Sequence, residues 1–414
     1  MSEKLTVKNV VNINKSTLSA KDNWSTLKYL DTGNITENQI DTLQIFQKGE
    51  KLPSRAKRKV EKGTIIYSTV RPNQKHFGYF DTHSNDLVVS TGFATLDVID
   101  PRINSKYLYY LLTQNSVISQ LQSIGENSTS SYPSIRPEDI GNLSFVFPDI
   151  DIQNKIADIL TSIDKKIQIN NQINQELEAM AKTLYDYWFV QFDFPDQNGK
   201  PYKSSGGKMV YNPELKREIP EGWGVAKVED IAQTGSGGTP KSTNVSYYSN
   251  GEIPWINSGE LEQTVITSTS NFITEEGLNN SSAKLFPSGT ILVAMYGATA
   301  GKVSFLTFEA STNQAICAIM LNDIRMRYYL KNVIEDLYQY LVKLSTGSAR
   351  DNLSQDMIKN IKVVIPSNDI LDRYYDFSNN IIKEITKKQQ ENEQLTQLRD
   401  WLLPMLMNGQ VKVE

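Results

Sequence analysis

A few side chains in this sequence could in principle carry out catalysis. Gly297, Gly301 and Lys302 resemble a phosphate-binding loop. That loop needs four residues between its glycines, where this chain has three, and a Ser or Thr where Val303 stands. The single cysteine, Cys317, lies in an apolar run, far along the chain from both histidines, so neither a nucleophile nor a zinc site is indicated. We therefore expect a tight turn between strands for the glycines and a buried strand position for the cysteine.

Catalysis on DNA would need motifs that the sequence lacks. The Asn-Pro-Pro-Tyr type of motif that holds a flipped adenine is absent, and the stretch Tyr211-Asn212-Pro213-Glu214 resembles it only distantly. No glycine-rich loop at a strand–helix junction offers a site for a methyl donor. No pair of carboxylates beside a lysine indicates nuclease chemistry. The sequence thus predicts no catalytic residue, no metal site and no cofactor in this chain.

The clustered polar side chains that remain are of the types that contact DNA in nucleic-acid-binding proteins. Arg and Lys neutralise phosphates, whereas Arg, Lys, Asn, Gln and hydroxyl side chains reach base edges. In the first part of the chain they form a basic run, a mixed polar run beside aromatic residues, and a hydroxyl-rich loop; each could also be an ordinary solvated loop. The predicted DNA contacts there are Arg55, Lys57, Arg58, Lys59, Arg71, Asn73, Gln74, Lys75, His76, Ser130, Ser131, Tyr132 and Arg136.

A second set of such residues begins at Thr239. It combines hydroxyls, amides and cations, although Asn313 could equally be a turn residue. The predicted contacts are Thr239, Lys241, Ser242, Tyr296, Thr299, Lys302, Asn313, Gln314, Ser348, Arg350 and Asn352.

The two sets recur because the chain repeats itself. The stretch GTIIYSTVRP from Gly63 matches GTILVAMYGA from Gly289. Val70–Gln74 is placed where the second copy has Met295–Thr299. Three further matches follow in the same order: STGFA with STNQA, LSFVFP with IKVVIP, and LYDYWF with LRDWLL. The offset drifts from 226 to 214 residues, as insertions in surface loops would cause. The chain is therefore predicted to be a tandem duplication.

Each copy begins with apolar runs separated by turn residues and ends in a helical pattern. The first part predicts an α+β domain. The second part carries apolar residues three and four positions apart, as in a coiled coil, interrupted by polar residues that include Asn170 and Asn392. The predicted seam residues are Ile156, Leu160, Ile163, Ile167, Leu177, Leu184, Ile381, Leu395 and Leu402, with Phe377 and Ile385 on the same spacing.

The predicted fold class is α+β. Two tandem α+β target-recognition domains are separated by two long helices that form an antiparallel coiled coil, with a pseudo-twofold internal repeat. An ordinary helical hairpin between two domains is the alternative for the helices. The expected divisions are a first recognition domain at 1–150, a helix at 151–190, a crossover at 191–222, a second recognition domain at 223–366, a second helix at 367–407 and a tail at 408–414.

The composition limits the class of protein. A chain of 414 residues exceeds one ordinary core, so two or three domains are expected. No apolar run reaches the length of about 18 residues that a membrane helix needs, and no signal peptide is recognisable, so we expect a cytoplasmic protein. The net charge of −4 does not by itself indicate DNA binding, so local clusters must supply any phosphate contacts.

Several of these stretches resemble the specificity subunits of type I restriction–modification enzymes. GGTPK from Gly237 with IPWI from Ile253 is similar to the opening motif of that family's recognition domains, and Phe286–Lys302 with TNQA from Thr312 is similar to the middle motif. Gln153–Leu160 and Leu402–Gly409 resemble the start and end of its helical regions.

The resemblance implies that each copy reads one part of a bipartite, asymmetric site in double-stranded DNA. It also implies that the helices dock two methyltransferase subunits and that a restriction (motor-nuclease) subunit joins them. S-adenosylmethionine, ATP and Mg²⁺ would then be bound by those partners. Two alternatives remain open: a coiled-coil interaction scaffold without DNA specificity, and a self-sufficient adenine methyltransferase.

Overall fold

The computed structural model describes residues 4–19, 21–83, 86–128, 131–297, 299–344 and 353–413. The chain divides into two compact units. Unit 1 comprises residues 1–166 together with 395–414, and unit 2 comprises residues 167–394. Because each boundary falls inside a long helix, both long helices contribute residues to both units.

Unit 1 contains short strands, four short helices and part of each long helix. The strands are β1 (Lys4–Thr6), β2 (Val11–Ile13), β3 (Thr26–Leu30), β4 (Ile35–Thr36), β5 (Gln39–Ile40), β6 (Gln44–Gln47), β7 (Ala56–Lys59), β8 (Ile65–Ser68), β9 (Phe77–Tyr79), β10 (Leu87–Ser90), β11 (Phe93–Val98) and β12 (Ser144–Val146). The helices are α1 (Val7–Val10), α2 (Ser105–Leu112), α3 (Asn115–Glu126), α4 (Pro137–Gly141) and the long α5 (Ile150–Tyr185), which continues as a π-helical segment, Asp186–Val190.

Unit 2 repeats this order of elements. Its strands are β13 (Met209–Asn212), β14 (Arg217–Pro220), β15 (Gly224–Lys227), β16 (Ala232–Ser236), β17 (Ile253–Ile256), β18 (Val265–Ile266), β19 (Phe272–Ile273), β20 (Leu285–Phe286), β21 (Ile291–Ala294), β22 (Val303–Leu306), β23 (Ala310–Thr312), β24 (Ile316–Leu321) and β25 (Lys362–Ile365). The helices are α6 (Val228–Ile231), α7 (Glu275–Asn279), α8 (Arg327–Leu344), α9 (Gln355–Lys359) and the long α10 (Asn368–Met407).

The sheets confirm the predicted duplication. In unit 1 one sheet has the order β6-β3-β10-β7 and another the order β2-β11-β8-β9. In unit 2 the corresponding orders are β19-β17-β23-β20 and β16-β24-β21-β22, the latter extended by β18. The pairs β3–β10 and β17–β23 are parallel, and the other pairings in these four sheets are antiparallel except the extra β18–β22 pair. The α+β class and the tandem repeat are therefore both correct.

The central strands explain why the sequence shows continuous apolar runs there instead of alternation. In β8, Ile65 and Tyr67 pack into a core with the helices, while Ile66 packs into a second core with the other sheet. In β21, Ile291 and Val293 face the helical core of unit 2, and the alternate residues face its second sheet. A strand covered on both faces must be apolar on both.

The two long helices run antiparallel within unit 2, as predicted. Near one end Asn170 of α5 donates to Asn392 of α10 at 2.9 Å, and at the other Trp188 lies against Tyr374 with ring centroids 6.0 Å apart. Residue numbers therefore rise along one helix as they fall along the other. Both amides are buried, and Asn392 in turn donates to Asn171 at 2.7 Å. Paired polar groups inside a helical seam fix its register.

The predicted seam residues are buried to different degrees. Ile156, Leu160, Ile163, Ile167 and Ile381 are at most 8% exposed, and Leu177, Leu184, Leu395 and Leu402 are partly buried. Phe377 was predicted wrongly: it is 41% exposed, and Tyr374 is fully buried among the aromatic residues of this core. The seam spacing shifts here because large rings replace the aliphatic side chains.

The end of α10 and the segment after it complete the core of unit 1. Leu406 is 4% exposed, and Leu402, Leu403 and Val411 pack against the same cluster as Leu160. In this unit Arg399 also pairs with Asp164 at 3.1 Å. Segments from far apart in the sequence therefore share one apolar core.

Candidate nucleic-acid interface

Four segments of unit 1 meet where β8 ends. The backbone N–H of Thr69 donates to Gly92 at 2.9 Å, and the carbonyl of Thr69 accepts from Ile135 at 2.8 Å. The N–H of Thr91 donates to the carbonyl of Arg55 at 2.9 Å. We call the region formed by residues 55–59, 69–76, 91–92 and 131–136 the first loop edge. It brings together the three runs of candidate residues that the sequence analysis found separately.

Arg71 and Tyr132 are neighbours on the first loop edge. The N–H of Arg71 donates to the carbonyl of Pro133 at 2.8 Å, which ties the two loops together. The guanidinium carbon of Arg71 lies 5.6 Å from the ring centroid of Tyr132, and both side chains are exposed. A guanidinium over an aromatic face is held by the ring while its N–H groups remain available.

Several predicted contacts have internal roles in this structure. Lys59 pairs with Asp22 and Lys75 with Glu37, each at 2.5 Å. The Nδ1 atom of His76 lies 2.5 Å from the carbonyl oxygen of Ile35. These side chains hold the loops together, and sequence reasoning missed their carboxylate partners because these are 37 and 38 residues away along the chain.

Arg58 lies in β7 and is half-buried. Its Nε atom has no hydrogen-bond partner among the described residues, and burial lowers the pKa of its guanidinium. The predicted contacts of the first copy that are exposed are Arg55, Lys57, Arg71, Asn73, Gln74, Ser131, Tyr132 and Arg136. Ser130 lies outside the described residues.

Unit 2 builds an equivalent region with the same hydrogen bonds. The N–H of Met295 donates to Ala315 at 2.8 Å, and its carbonyl accepts from Leu353 at 2.8 Å. Met295 therefore takes the place of Thr69. We call the region formed by residues 237–242, 295–297, 299–302 and 312–315 the second loop edge.

Strand register corrects the alignment of the two loops by one residue. Tyr67 pairs with Phe77 across β8 and β9, and Val293 pairs with Val303 across β21 and β22. The intervening residues thus correspond one to one, and Val70 stands against Tyr296 and not Met295. The matched stretches GTIIYSTVRP and GTILVAMYGA have this same register, so the placement of Val70 against Met295 is wrong by one residue.

The GGTPK segment of the second loop edge is held against the turn after β23. A Cβ on Gly237 would lie 2.0 Å from the carbonyl oxygen of Thr312, so only glycine fits. The N–H of Gly238 donates to that carbonyl at 2.8 Å, and the indole Nε1 of Trp255 donates to the carbonyl of Gly238 at 2.9 Å. This packing explains the spacing between GGTPK and IPWI.

The other candidates of unit 2 divide between exposed and internal positions. Thr239 and Gln314 are exposed and joined by a side-chain hydrogen bond, and Lys241, Ser242 and Lys302 are exposed. Thr299 is buried and donates to the carbonyl of Ser258 at 2.8 Å. Tyr296 is partly buried in the core. Ser348, Arg350 and Asn352 lie outside the described residues.

Asn313 has the role that the sequence analysis gave as its alternative. Its Oδ1 accepts from the N–H of Ala315 at 3.1 Å, which makes it a turn residue. The glycines at 297 and 301 form the predicted turn between β21 and β22, with φ of +89° and +77°. Cys317 is fully buried in β24, and burial raises the pKa of its thiol to about 12. Such a thiol is not a nucleophile.

The part of the chain that the structure describes offers neither a metal-binding cluster nor a membrane-spanning helix. In that part of the chain, no three or more His, Cys, Asp or Glu side chains are grouped so that they could hold a metal ion. None of the helices described is both long enough and apolar enough to cross a membrane.

Two copies of one α+β module, each with a loop edge of polar side chains and each joined to a long helix, define a duplicated recognition protein. The chain belongs to the family described as type I restriction modification DNA specificity domain, whose model matches residues 2–179 and again 220–397. The family confirms the resemblance found in the sequence. It also confirms a non-catalytic DNA specificity subunit, and it disfavours the scaffold without DNA specificity.

Individual relatives agree with this assignment. The chain is 28% identical to the type I restriction enzyme HindI specificity subunit of Haemophilus influenzae, over 92% of this chain and 94% of the relative. It is also 28% identical to the MjaIX specificity subunit of Methanocaldococcus jannaschii, over 93% of this chain and 84% of that one. The crystal structure of the type I restriction-modification system S subunit from M. genitalium matches with a TM-score of 0.53 and 16% identity, covering 98% and 95% of the two chains. That match supports the fold.

Proposed function

We propose that each loop edge reads one half of a bipartite, asymmetric site in double-stranded DNA. The observation that carries the proposal is the recurrence of one hydrogen-bond scheme at Thr69 and at Met295, each bringing distant polar loops to the end of the same central strand. We further propose the division into recognition domains at 1–150 and 223–366, helices at 151–190 and 367–407, a crossover at 191–222 and a tail at 408–414.

The exposed side chains of the two loop edges are the proposed DNA contacts. Cations there suit phosphates, and planar amides and guanidinium groups suit base edges. Side chains that bond within the fold, such as Lys75 and Thr299, would position the loops that carry these exposed side chains. The proposed contacts are Arg55, Lys57, Arg71, Asn73, Gln74, Ser131, Tyr132, Arg136, Thr239, Lys241, Ser242, Lys302 and Gln314.

Arg55→Ala tests the proposed interface directly. Arg55 is exposed and its backbone, not its side chain, supports the fold, so the variant should fold normally. We expect weaker DNA binding by the assembled methyltransferase complex. The slope of log affinity against log salt should fall by about 1, as for loss of one phosphate contact. Lys200→Ala is the control, because Lys200 is exposed but lies in the crossover. Equal affinity and equal salt slopes for the two variants would remove Arg55 from the interface.

Methyltransferase subunits are the proposed partners of the long helices. On α5 the apolar side chains of Ile169, Ile173 and Met180 are 37–52% exposed, at spacings of four and seven residues that put them on one face, and Tyr187 of the π-helical segment is 39% exposed. Exposed apolar stripes are typical of interaction surfaces. Two such subunits and a restriction subunit would complete a cytoplasmic assembly, and S-adenosylmethionine, ATP and Mg²⁺ would bind to those partners.

The double variant Ile173→Asp, Met180→Asp tests this docking surface. Both side chains are exposed, so the chain itself should fold, but co-purification with methyltransferase subunits should fall at least tenfold. Gln175→Asp is the control, because Gln175 is exposed on another face of α5. A substitution at Leu160 would not test docking, because Leu160 is fully buried in the core of unit 1. Normal recovery of the complex with the double variant would refute the proposed surface.

A further inference from the structure

The loops after β8 and β21 have equal length and a positive φ at the same two positions, but different residues there. Arg71 has φ of +46° and its counterpart Gly297 has φ of +89°. Lys75 has φ of +56° and its counterpart Gly301 has φ of +77°. Glycine adopts this left-handed region freely, whereas other L-residues pay about 1–2 kcal/mol. The first copy thus has two long cationic side chains at positions where the second copy has glycine, which adopts the same backbone conformation without strain.

The positive charge of Lys75 has a role within the fold. It pairs with Glu37 at 2.5 Å, and its backbone N–H donates to the carbonyl of Pro72 at 3.0 Å. Arg71 differs, because no carboxylate pairs with its guanidinium among the residues that the structure describes. Its side chain lies instead over the exposed ring of Tyr132. Strained non-glycine residues without an internal role mark functional positions.

We propose that the Arg71–Tyr132 pair reads a guanine in the half of the site that unit 1 contacts. This inference rests on the proposed function of the first loop edge. Guanine presents O6 and N7 side by side in the major groove, and the guanidinium fork donates two parallel hydrogen bonds to them. Stacking on Tyr132 fixes the plane of the fork and leaves its N–H groups directed outward. The second loop edge has Gly297 at this position and reads its own half by other side chains.

A phosphate contact is the competing role of Arg71, and the two roles differ in how a loss of binding depends on the DNA sequence. Removing a phosphate contact weakens binding about equally on every duplex and lowers the salt slope by about 1. Removing a base contact relaxes specificity at one base pair. The affinity profile of Arg71→Gly therefore distinguishes base reading from phosphate binding.

The test begins with the wild-type complex of this chain with its methyltransferase subunits. Sequencing of the bases that it methylates defines the site, and duplexes with each base pair changed in turn then give an affinity profile. Arg71→Gly installs the residue of the other copy. We expect its thermal midpoint to stay the same or rise, because the backbone strain is removed. Discrimination should fall by about tenfold to a hundredfold at one G·C pair in one half of the site, and remain elsewhere.

Lys216→Gly is the matched control, since Lys216 also has a positive φ, of +51°, and is exposed, but lies between β13 and β14, outside both loop edges. It should relieve the same kind of strain and keep the full affinity profile. Tyr132→Ala should reduce the discrimination at the G·C pair, whereas Tyr132→Phe should retain it.

Three results would overturn the inference. An equal loss of affinity on every duplex for Arg71→Gly, with full discrimination retained, would show a phosphate contact. An unchanged profile with a lowered thermal midpoint for Arg71→Gly would show a structural residue. A loss at an A·T pair would show a different base reading. Absence of any sequence preference in the wild-type complex would instead refute the proposed function, so the two failures are distinguishable.

Discussion

The first and second loop edges have the same backbone scaffold and different side chains. Thr69 and Met295 share no chemistry, yet each donates and accepts the same two backbone hydrogen bonds. The loops that follow have equal length, and φ is positive at the same two positions in each. The difference teaches that the scaffold depends on the main chain and on the buried strands. The exposed side chains are therefore free to change without loss of the fold.

The short helices α4 and α9 are also equivalent in position but are capped by different side chains. Each begins beside its loop edge, but the first is capped by the Asp139 carboxylate, which accepts from the N–H of Arg136 at 2.7 Å. The second is capped by the Ser354 hydroxyl, which accepts from the N–H of Met357 at 3.1 Å. Two different side chains thus satisfy the start of equivalent helices.

The largest effect is expected where the two loops are not interchangeable. Gly301→Lys copies Lys75 into the second loop edge, but a Cβ there would lie 2.0 Å from Cγ of Tyr338, in addition to the cost of a positive φ. We expect a loss of about 2–4 kcal/mol in the free energy of unfolding. Urea denaturation measures it.

Gly297→Lys is the control for that substitution. Its φ is also positive, but nothing lies within 4 Å of a Cβ at this position. It should lose only about 1–2 kcal/mol. Equal losses for the two variants would mean that Tyr338 moves aside readily, and the loops would then be interchangeable in both directions.

The smallest effect is expected at the helix caps. Arg136 is largely exposed, so Arg136→Ala should lower the free energy of unfolding only slightly at pH 7. The Arg136 side chain lowers the pKa of Asp139 through its hydrogen bond. Because the pKa of this carboxyl is lowered in the folded state, its contribution is present at neutral pH. It is lost as the pH falls below the ordinary value of about 3.9.

The difference between wild type and Arg136→Ala should therefore shrink as the pH falls below about 4. Ser354→Ala provides the comparison, because a hydroxyl cap does not titrate. It should lose about 1 kcal/mol with no such dependence on pH. Denaturation at several pH values measures both variants. A difference for Arg136→Ala that stays constant from neutral pH to well below the ordinary carboxyl pKa would contradict the role given to Asp139.

The duplication and the helices were predictable because short-range sequence patterns determine them. The apolar runs at β8 and β21 match at an offset of 226 residues, and the seam residues follow helical spacing. The error at Phe377 arose because spacing alone does not show which of several large rings enters the core. Tyr374 takes the buried position instead.

The interface was predictable in its residue types but not in its geometry. Nothing in the sequence places Tyr132 beside Arg71, because hydrogen bonds through Thr69 and Pro133 create that contact. Nor does it show that His76 and Thr299 are used internally, since their acceptors are backbone carbonyls of distant residues. Left-handed backbone at an arginine is likewise invisible in sequence, whereas at a glycine it is expected.

The contribution of residues 395–413 to the core of unit 1 has a consequence for synthesis on the ribosome. Unit 2 is one continuous stretch, whereas the core of unit 1 lacks Leu402 and Leu406 until the whole of unit 2 has been made. At about 5–20 residues per second, that delay is roughly 10–45 seconds. The half that is translated earlier therefore matures later. During this interval its uncovered apolar surface is the part of the nascent chain most in need of a chaperone.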